Sequence, residues 1–201
     1  LTEARTYLEI ARAEFPDMRI QLVLVEAQLL TDHAELSSVI DLLGTFLSES
    51  PDDADLLYFR AMTGEKAGDL DLLESDLRRI IELDPKNADA LNALGYTLTD
   101  QTERHDEALD LITRALAIRP NEPAFIDSMG WVQYRLMNYE KALTYLRQAL
   151  TLMRNDEVAA HLGEVLWVVG DKVEANKIWQ EGLEREPDSK FLKDVIERLK
   201  P

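Results

Sequence analysis

Small and large apolar residues recur along this chain at steps of four and three. Ala4, Leu8 and Ala11 form one such set; Ala108, Ile112 and Ala115 form another; Ala142, Leu146, Ala149 and Ala175, Trp179, Gly182 complete the series. Steps of four and three return to one face of an α-helix, so each set marks a helical stripe. Pro16, Pro120 and Pro187 follow three of the sets, and after the Ala142 set the marker is missing near Asn155. With Pro51 and Pro85 added, the prolines stand 35, 34, 35 and 67 residues apart, the last gap being two units. Proline cannot continue a helix and drives the residue before it (Phe15, Asp84 or Arg119) out of helical angles. The period of the chain is therefore about 34 residues.

Each period holds a second helical pattern. Leu91, Leu94, Gly95 and Leu98 give its clearest copy, repeated as Ile126, Met129, Gly130 and as Ala159, Leu162, Gly163, Leu166. A small residue facing a large one lets two helices approach closely. The turns between them are legible too. Gly68-Asp69 and Gly170-Asp171 read as a helix-ending glycine followed by a capping aspartate, and Asp171 with Glu174 fits a capping box. Two copies are degenerate. Val23 to Pro51 keeps Ala27, Leu30, Val39, Leu43 and Phe46, whereas Leu57 to Pro85 places Arg60 at a large apolar position and Leu73 at a small one. A last amphipathic helix from about Asp188 carries Phe191, Leu192, Val195, Ile196 and Leu199. The pattern predicts an all-α fold of about twelve helices.

These residues resemble the tetratricopeptide repeat, a helix-turn-helix unit that stacks into a right-handed superhelical solenoid. The resemblance covers nearly the whole chain and is most specific over Leu91 to Pro120 and Ala159 to Pro187. It implies a solenoid over 1–187, with 1–16 as the second helix of a truncated repeat. Five repeats then follow at about 20–53, 54–87, 88–122, 123–155 and 156–189, and 188–201 forms a capping helix. An unpaired apolar face is costly at a solenoid end. The chain is thus expected to be a piece from the C-terminal part of a longer repeat protein, whose open face beside Ala4, Leu8 and Ala11 can pair two copies.

In the family, a stripe of each first helix lines a concave groove that binds peptides. Carried over, that stripe is Tyr58 and Met62, then Asn92 and Tyr96, then Asp127, Trp131, Tyr134 and Arg135, then Glu164 and Trp167. Two readings stand for its aromatics. They form an exposed track for a visiting protein segment, where Trp and Tyr supply large contact area at low entropy cost. Alternatively, they pack against the neighbouring repeat. The first reading expects joint replacement of Tyr96, Trp131 and Trp167 by Ala to weaken binding without loss of stability. Trp179 lies on a second-helix stripe and reads as core. Family members that clamp a C-terminal carboxylate do so with Lys, Arg and Asn on this stripe. Here it offers Lys66 and Arg135 among acids and rings, which argues against such a clamp.

Charge narrows the partners. The chain has 201 residues with 22 Lys and Arg against 39 Asp and Glu, a formal net charge of −17. Nucleic-acid binding draws its affinity from cations neutralising phosphates, and here acids outnumber them 39 to 22. It offers no polybasic membrane surface and no stretch of 18 apolar residues, so membrane contact by this segment is not expected. The excess acid reads either as a solvated convex face or as a groove favouring basic segments. With no cysteine, disulfides and thiolate chemistry are excluded, leaving the compartment open.

The residues do not assemble an active site. His33, His105 and His161 lack metal-ligand spacing and read as surface or edge residues. There is no nucleophile elbow, phosphate loop or dinucleotide fingerprint, and the Asp52, Asp53, Asp55 cluster reads as a helix start. No cofactor and no enzymatic activity are expected.

Asn92 to Leu98, Asp127 to Leu136 and His161 to Trp167 also resemble the C-terminal repeats of proteobacterial tetratricopeptide lipoproteins. The resemblance implies a periplasmic adaptor, anchored in the outer membrane by another part of the parent. Its partners would be a carboxyl-terminal processing protease and client cell-wall hydrolases. The alternative is a targeting or substrate-recruiting arm of a longer enzyme.

Overall fold

The computed structural model describes residues 1–200, which form twelve α-helices, one 3-10 turn and no strand. The chain divides into two compact units, residues 1–90 and residues 91 onward.

The N-terminal unit runs through α1 (Thr2–Glu14), a 3-10 turn (Pro16–Met18), α2 (Arg19–Asp32), α3 (Leu36–Glu49), α4 (Ala54–Ala67) and α5 (Leu70–Leu83). Its core keeps Ala27, Leu30, Val39 and Leu43 of the spacing read from sequence, joined by the fully buried Val23, Ala61 and Leu77, while Phe46 is only partly buried. Asp53 caps α4 through the amides of Asp55 and Leu56, and Asp69 caps α5 through the amide of Leu72. Gly68 sits between them at φ 76°, where a side chain is disfavoured. Arg60, the residue that broke the apolar pattern, extends from α4 to Asp76 of α5. Its Nε and Nη2 donate to the two carboxylate oxygens at 2.7 Å each, and Asp76 is buried. Glu26 is likewise buried on α2 and accepts from Arg5 and Arg12 of α1. Helix α1 contributes no buried residue, and Tyr7 and Ile10 are more than half exposed.

The C-terminal unit carries most of α6 (Ala88–Gln101), then α7 (His105–Ile118), α8 (Pro123–Arg135), α9 (Tyr139–Leu152), α10 (Asp156–Val168), α11 (Lys172–Arg185) and α12 (Lys190–Leu199). The glycines predicted to permit close packing do so. A Cβ on Gly130 would stand 2.6 Å from Leu146 Cγ, and one on Gly95 2.6 Å from Ile112 Cγ1. Asp171 caps α11 by accepting from the amide of Glu174, which is half of the box read from sequence: the Asp171 amide donates to the Leu166 carbonyl and the Glu174 carboxylate accepts from Arg147. Trp179, 1% exposed, is the largest fully buried side chain, as its stripe required. α12 lays Leu192 and Val195 onto α10 and α11, with Ser189 capping its start.

Candidate functional site

The first helices of the C-terminal unit, α6, α8 and α10, each present one stripe to a shared wall, and α12 adds Arg198 to it. Tyr96 of α6 donates its hydroxyl to Glu157 Oε1 of α10 at 2.7 Å. Trp131 of α8 donates its indole N–H to Asp100 Oδ1 at 3.2 Å and stacks on the His161 ring, with centroids 4.1 Å apart. The Nδ1 of His161 lies 3.0 Å from Asp127 Oδ2 and 3.2 Å from Oδ1, so that nitrogen carries a proton and donates it. Tyr134 donates to Glu164 Oε1 at 2.9 Å, and the Arg198 guanidinium donates to both oxygens of the same carboxylate. Arg135 reaches the Asp100 carbonyl at 3.2 Å. Trp167 has Lys172 Nζ over its ring at 4.6 Å and Lys200 Nζ at 5.9 Å.

Ionisation follows this geometry. Burial and the adjacent Glu157 hold the Tyr96 phenol above the ordinary tyrosine range. Burial and Glu164 do the same for Tyr134. Burial pulls the His161 imidazole down, but the charge and hydrogen bond of Asp127, aided by Glu157 and Asp100, overcome it and hold the group above 6.5.

An open track of rings is therefore not what the sequence folds into. Trp131 is 6% exposed and Asp127 and Glu164 are 5% exposed each, while Tyr96 and Tyr134 are partly buried with their hydroxyls bonded. The reason is physical: an indole or phenol that reaches a carboxylate on a neighbouring helix gains a hydrogen bond as well as apolar contact, so it closes onto that helix. The packing reading holds for Trp131 and Tyr96. Tyr134, Arg135 and Trp167 remain partly exposed, and Asp100 is exposed. Asn92 is partly buried on the same stripe, its Oδ1 enclosed without a hydrogen-bond partner.

Tyr58 and Met62 belong to α4 of the N-terminal unit. Both are partly buried, and Tyr58 borders a shallow depression with Leu24, Asp55, Phe59 and Asp89.

Sequence reasoning placed His161 among surface or edge residues, and the structure corrects that: it is 7% exposed at the centre of the wall. The available signal was its position, 34 residues after Asp127, which is one period. His33 is exposed, as expected. Among the described residues no group of three His, Asp or Glu comes together to hold a metal ion, and no helix is long and apolar enough to cross a membrane. What the wall offers chemically is the exposed Asp100 carboxylate beside Arg135, with the partly covered rings of Tyr134 and Trp167, suited to cationic and amide groups.

Comparison with known proteins agrees with this architecture. A family model described as tetratricopeptide repeat matches residues 74–123. A TPR repeat-containing protein of Pseudomonas aeruginosa is 48% identical over 162 residues, covering 81% of this chain and 28% of that protein. A protein O-mannosyl-transferase of Homo sapiens is 32% identical over 102 residues, 48% of this chain and 12% of that protein. The chain thus spans about a quarter, or less, of the length of these relatives. Among solved structures, a thermophilic TPR protein of Thermus thermophilus superimposes with a TM-score of 0.74 at 24% identity, covering 89% of this chain and 96% of that one.

Proposed function

The chain is a tetratricopeptide-repeat protein, and on that premise we propose that it acts as a non-enzymatic adaptor, binding protein segments along the first-helix wall. The observation that carries this reading is that Tyr134, Arg135 and Trp167 stay partly exposed on the wall together with the exposed Asp100 carboxylate. Partly covered rings supply contact area, while fixed acceptors orient a segment rich in amides and cations. Tyr58 and Met62 play the corresponding part in the N-terminal unit.

In its finer form, the adaptor works in the periplasm as part of an outer-membrane-anchored parent. There it brings cell-wall hydrolases to a carboxyl-terminal processing protease. The resemblance of Asp127 to Leu136 and of Ala159 to Trp167 to the lipoprotein repeats supports this reading. The bacterial relative at 48% identity is consistent with a bacterial setting. The test uses the full-length parent with purified protease and purified hydrolase. Co-elution of all three and faster hydrolase loss in the parent's presence are expected. Independent elution of parent and protease, with an unchanged rate, overturns the delivery role.

A second reading is favoured by the similarity to a protein O-mannosyl-transferase. In it the repeats recruit substrate for an enzyme elsewhere in the parent chain. A catalytic domain in the parent sequence selects this reading, and its absence selects the adaptor.

A further inference from the structure

We propose that His161 is a buried protonation switch that fastens α6, α8 and α10 together, holding Asp127 and Trp131 when charged and loosening them when neutral.

Three features of the pocket favour the charged ring. The Nδ1–H points at a carboxylate, Asp127, that is itself buried. The Trp131 indole from the same helix lies nearly parallel to the imidazole, 17° between planes at 4.1 Å, which presents a π face to the cation. The Tyr96 ring from α6 closes another side at 6.2 Å and 46°. His161 thus fills an aromatic and carboxylate cage of the kind that elsewhere receives a cation from outside.

The surrounding charges reinforce that preference. α6 contributes Asp100, which also anchors the Trp131 indole. α10 contributes Glu157, bonded to Tyr96, and Glu164 nearly one turn beyond His161. α12 contributes Arg198, whose charge is met by Glu164. α8 adds Tyr134, also bonded to Glu164, and α9 adds Tyr139, its ring 6.1 Å from that of Tyr134. α11 presents the uncharged Trp179 indole behind Gly163. Burial opposes the cation, and the neighbouring acids outweigh it.

The direction of the pH effect follows from linkage. A histidine held above its ordinary value of 6.5 when folded contributes stability that is full below that value. The contribution is lost as pH rises through the raised midpoint. Above it, Asp127 faces a neutral donor while remaining buried, and Trp131 loses the cation under its ring. The switch is a property of the wall itself and does not depend on which partner binds there.

The test is an NMR titration of the intact chain. It follows the carbon-bound ring protons of His161, assigned with His161→Gln, and the Trp131 indole N–H, assigned with Trp131→Phe. The expected result is a His161 midpoint above that of exposed His33, with the Trp131 signal moving at the same midpoint. Asp127→Asn is expected to lower that midpoint. The melting temperature of the native chain should fall across the same window, and that of His161→Gln should not. A His161 midpoint at or below that of His33 overturns the proposal, as does a Trp131 signal indifferent to it. Both readings come from the native chain, so they stand even where Asp127→Asn fails to fold.

Discussion

The indole nitrogen of Trp179 lies 2.0 Å from the point where a Cβ on residue 163 would stand, so α10 and α11 meet with no room for even one methyl group. Trp179 is fully enclosed and cannot swing away. Gly163→Ala is therefore expected to lower stability by about 1–3 kcal/mol, read as a lower urea midpoint. Gly44 supplies the contrast: a Cβ there meets only Arg60 Nη1 at 3.7 Å, an ordinary contact. Gly44→Ala should gain about 0.5–1 kcal/mol, because a mid-helix glycine loses more entropy on folding. Equal effects at the two positions would refute the close-packing account.

Met137 ends α8 at φ 60°, the left-handed conformation that Gly68 and Gly170 adopt at other turns. Its side chain is 72% exposed and secures nothing in return. Met137→Gly should raise the melting temperature, the relief being about 1 kcal/mol, and an unchanged or lower temperature would contradict it.

Arg60 and Asp76 behave as one unit. Removing the arginine alone leaves a carboxylate with 3% side-chain exposure and no opposite charge, so Arg60→Ala should cost about 3–5 kcal/mol in urea denaturation. Arg60→Met with Asp76→Leu should recover most of that loss, since apolar replacement of a buried pair is often neutral. A double variant as unstable as Arg60→Ala would show that the pair does more than satisfy itself.

These cases mark what was legible in the sequence. Helix pairing, the close glycines and the Asp caps all repeat with the 34-residue period or at a fixed offset from a glycine, so spacing exposes them. Arg60 registered only as a break in pattern, because its partner lies on another helix and no local rule links them. His161 was opaque for a related reason. Its place one period after Asp127 marks the stripe but not its burial, which comes from Trp131 and Tyr96 on neighbouring helices. The first-helix stripe was readable as a face, whereas its exposure depended on whether the acids beside each ring would turn inward to bond it.

Alkaline pH probes those bonds. Tyr96 and Tyr134 are held above the ordinary phenol value of 10.0, by burial first and by Glu157 or Glu164 next. In the unfolded chain they ionise near that value, so the stability they contribute is present below it and is lost as pH rises beyond it. Tyrosinate absorbance of the folded chain should lag behind that of the urea-unfolded chain. Tyr96→Phe should reduce the loss of stability above pH 10.0. Full ionisation of all six tyrosines while the chain stays folded would contradict the burial and bonding of these two hydroxyls.

Trp131 and Trp167, both on first helices, separate folding from recognition. Trp131 is buried, stacked and hydrogen-bonded, so Trp131→Ala should cost about 3–5 kcal/mol and lower the melting temperature. The joint replacement of Tyr96, Trp131 and Trp167 therefore cannot report on binding alone. Trp167 is only partly buried, with Lys172 and Lys200 over its ring, and each such contact at an exposed site is worth about 0.5–1 kcal/mol. Its ring also packs on Trp179, so in the full-length parent Trp167→Ala should lower the melting temperature, but by less than Trp131→Ala, and weaken co-elution with the purified protease and hydrolase. Undiminished co-elution would remove this part of the wall from the recognition surface, whatever role the repeats play elsewhere.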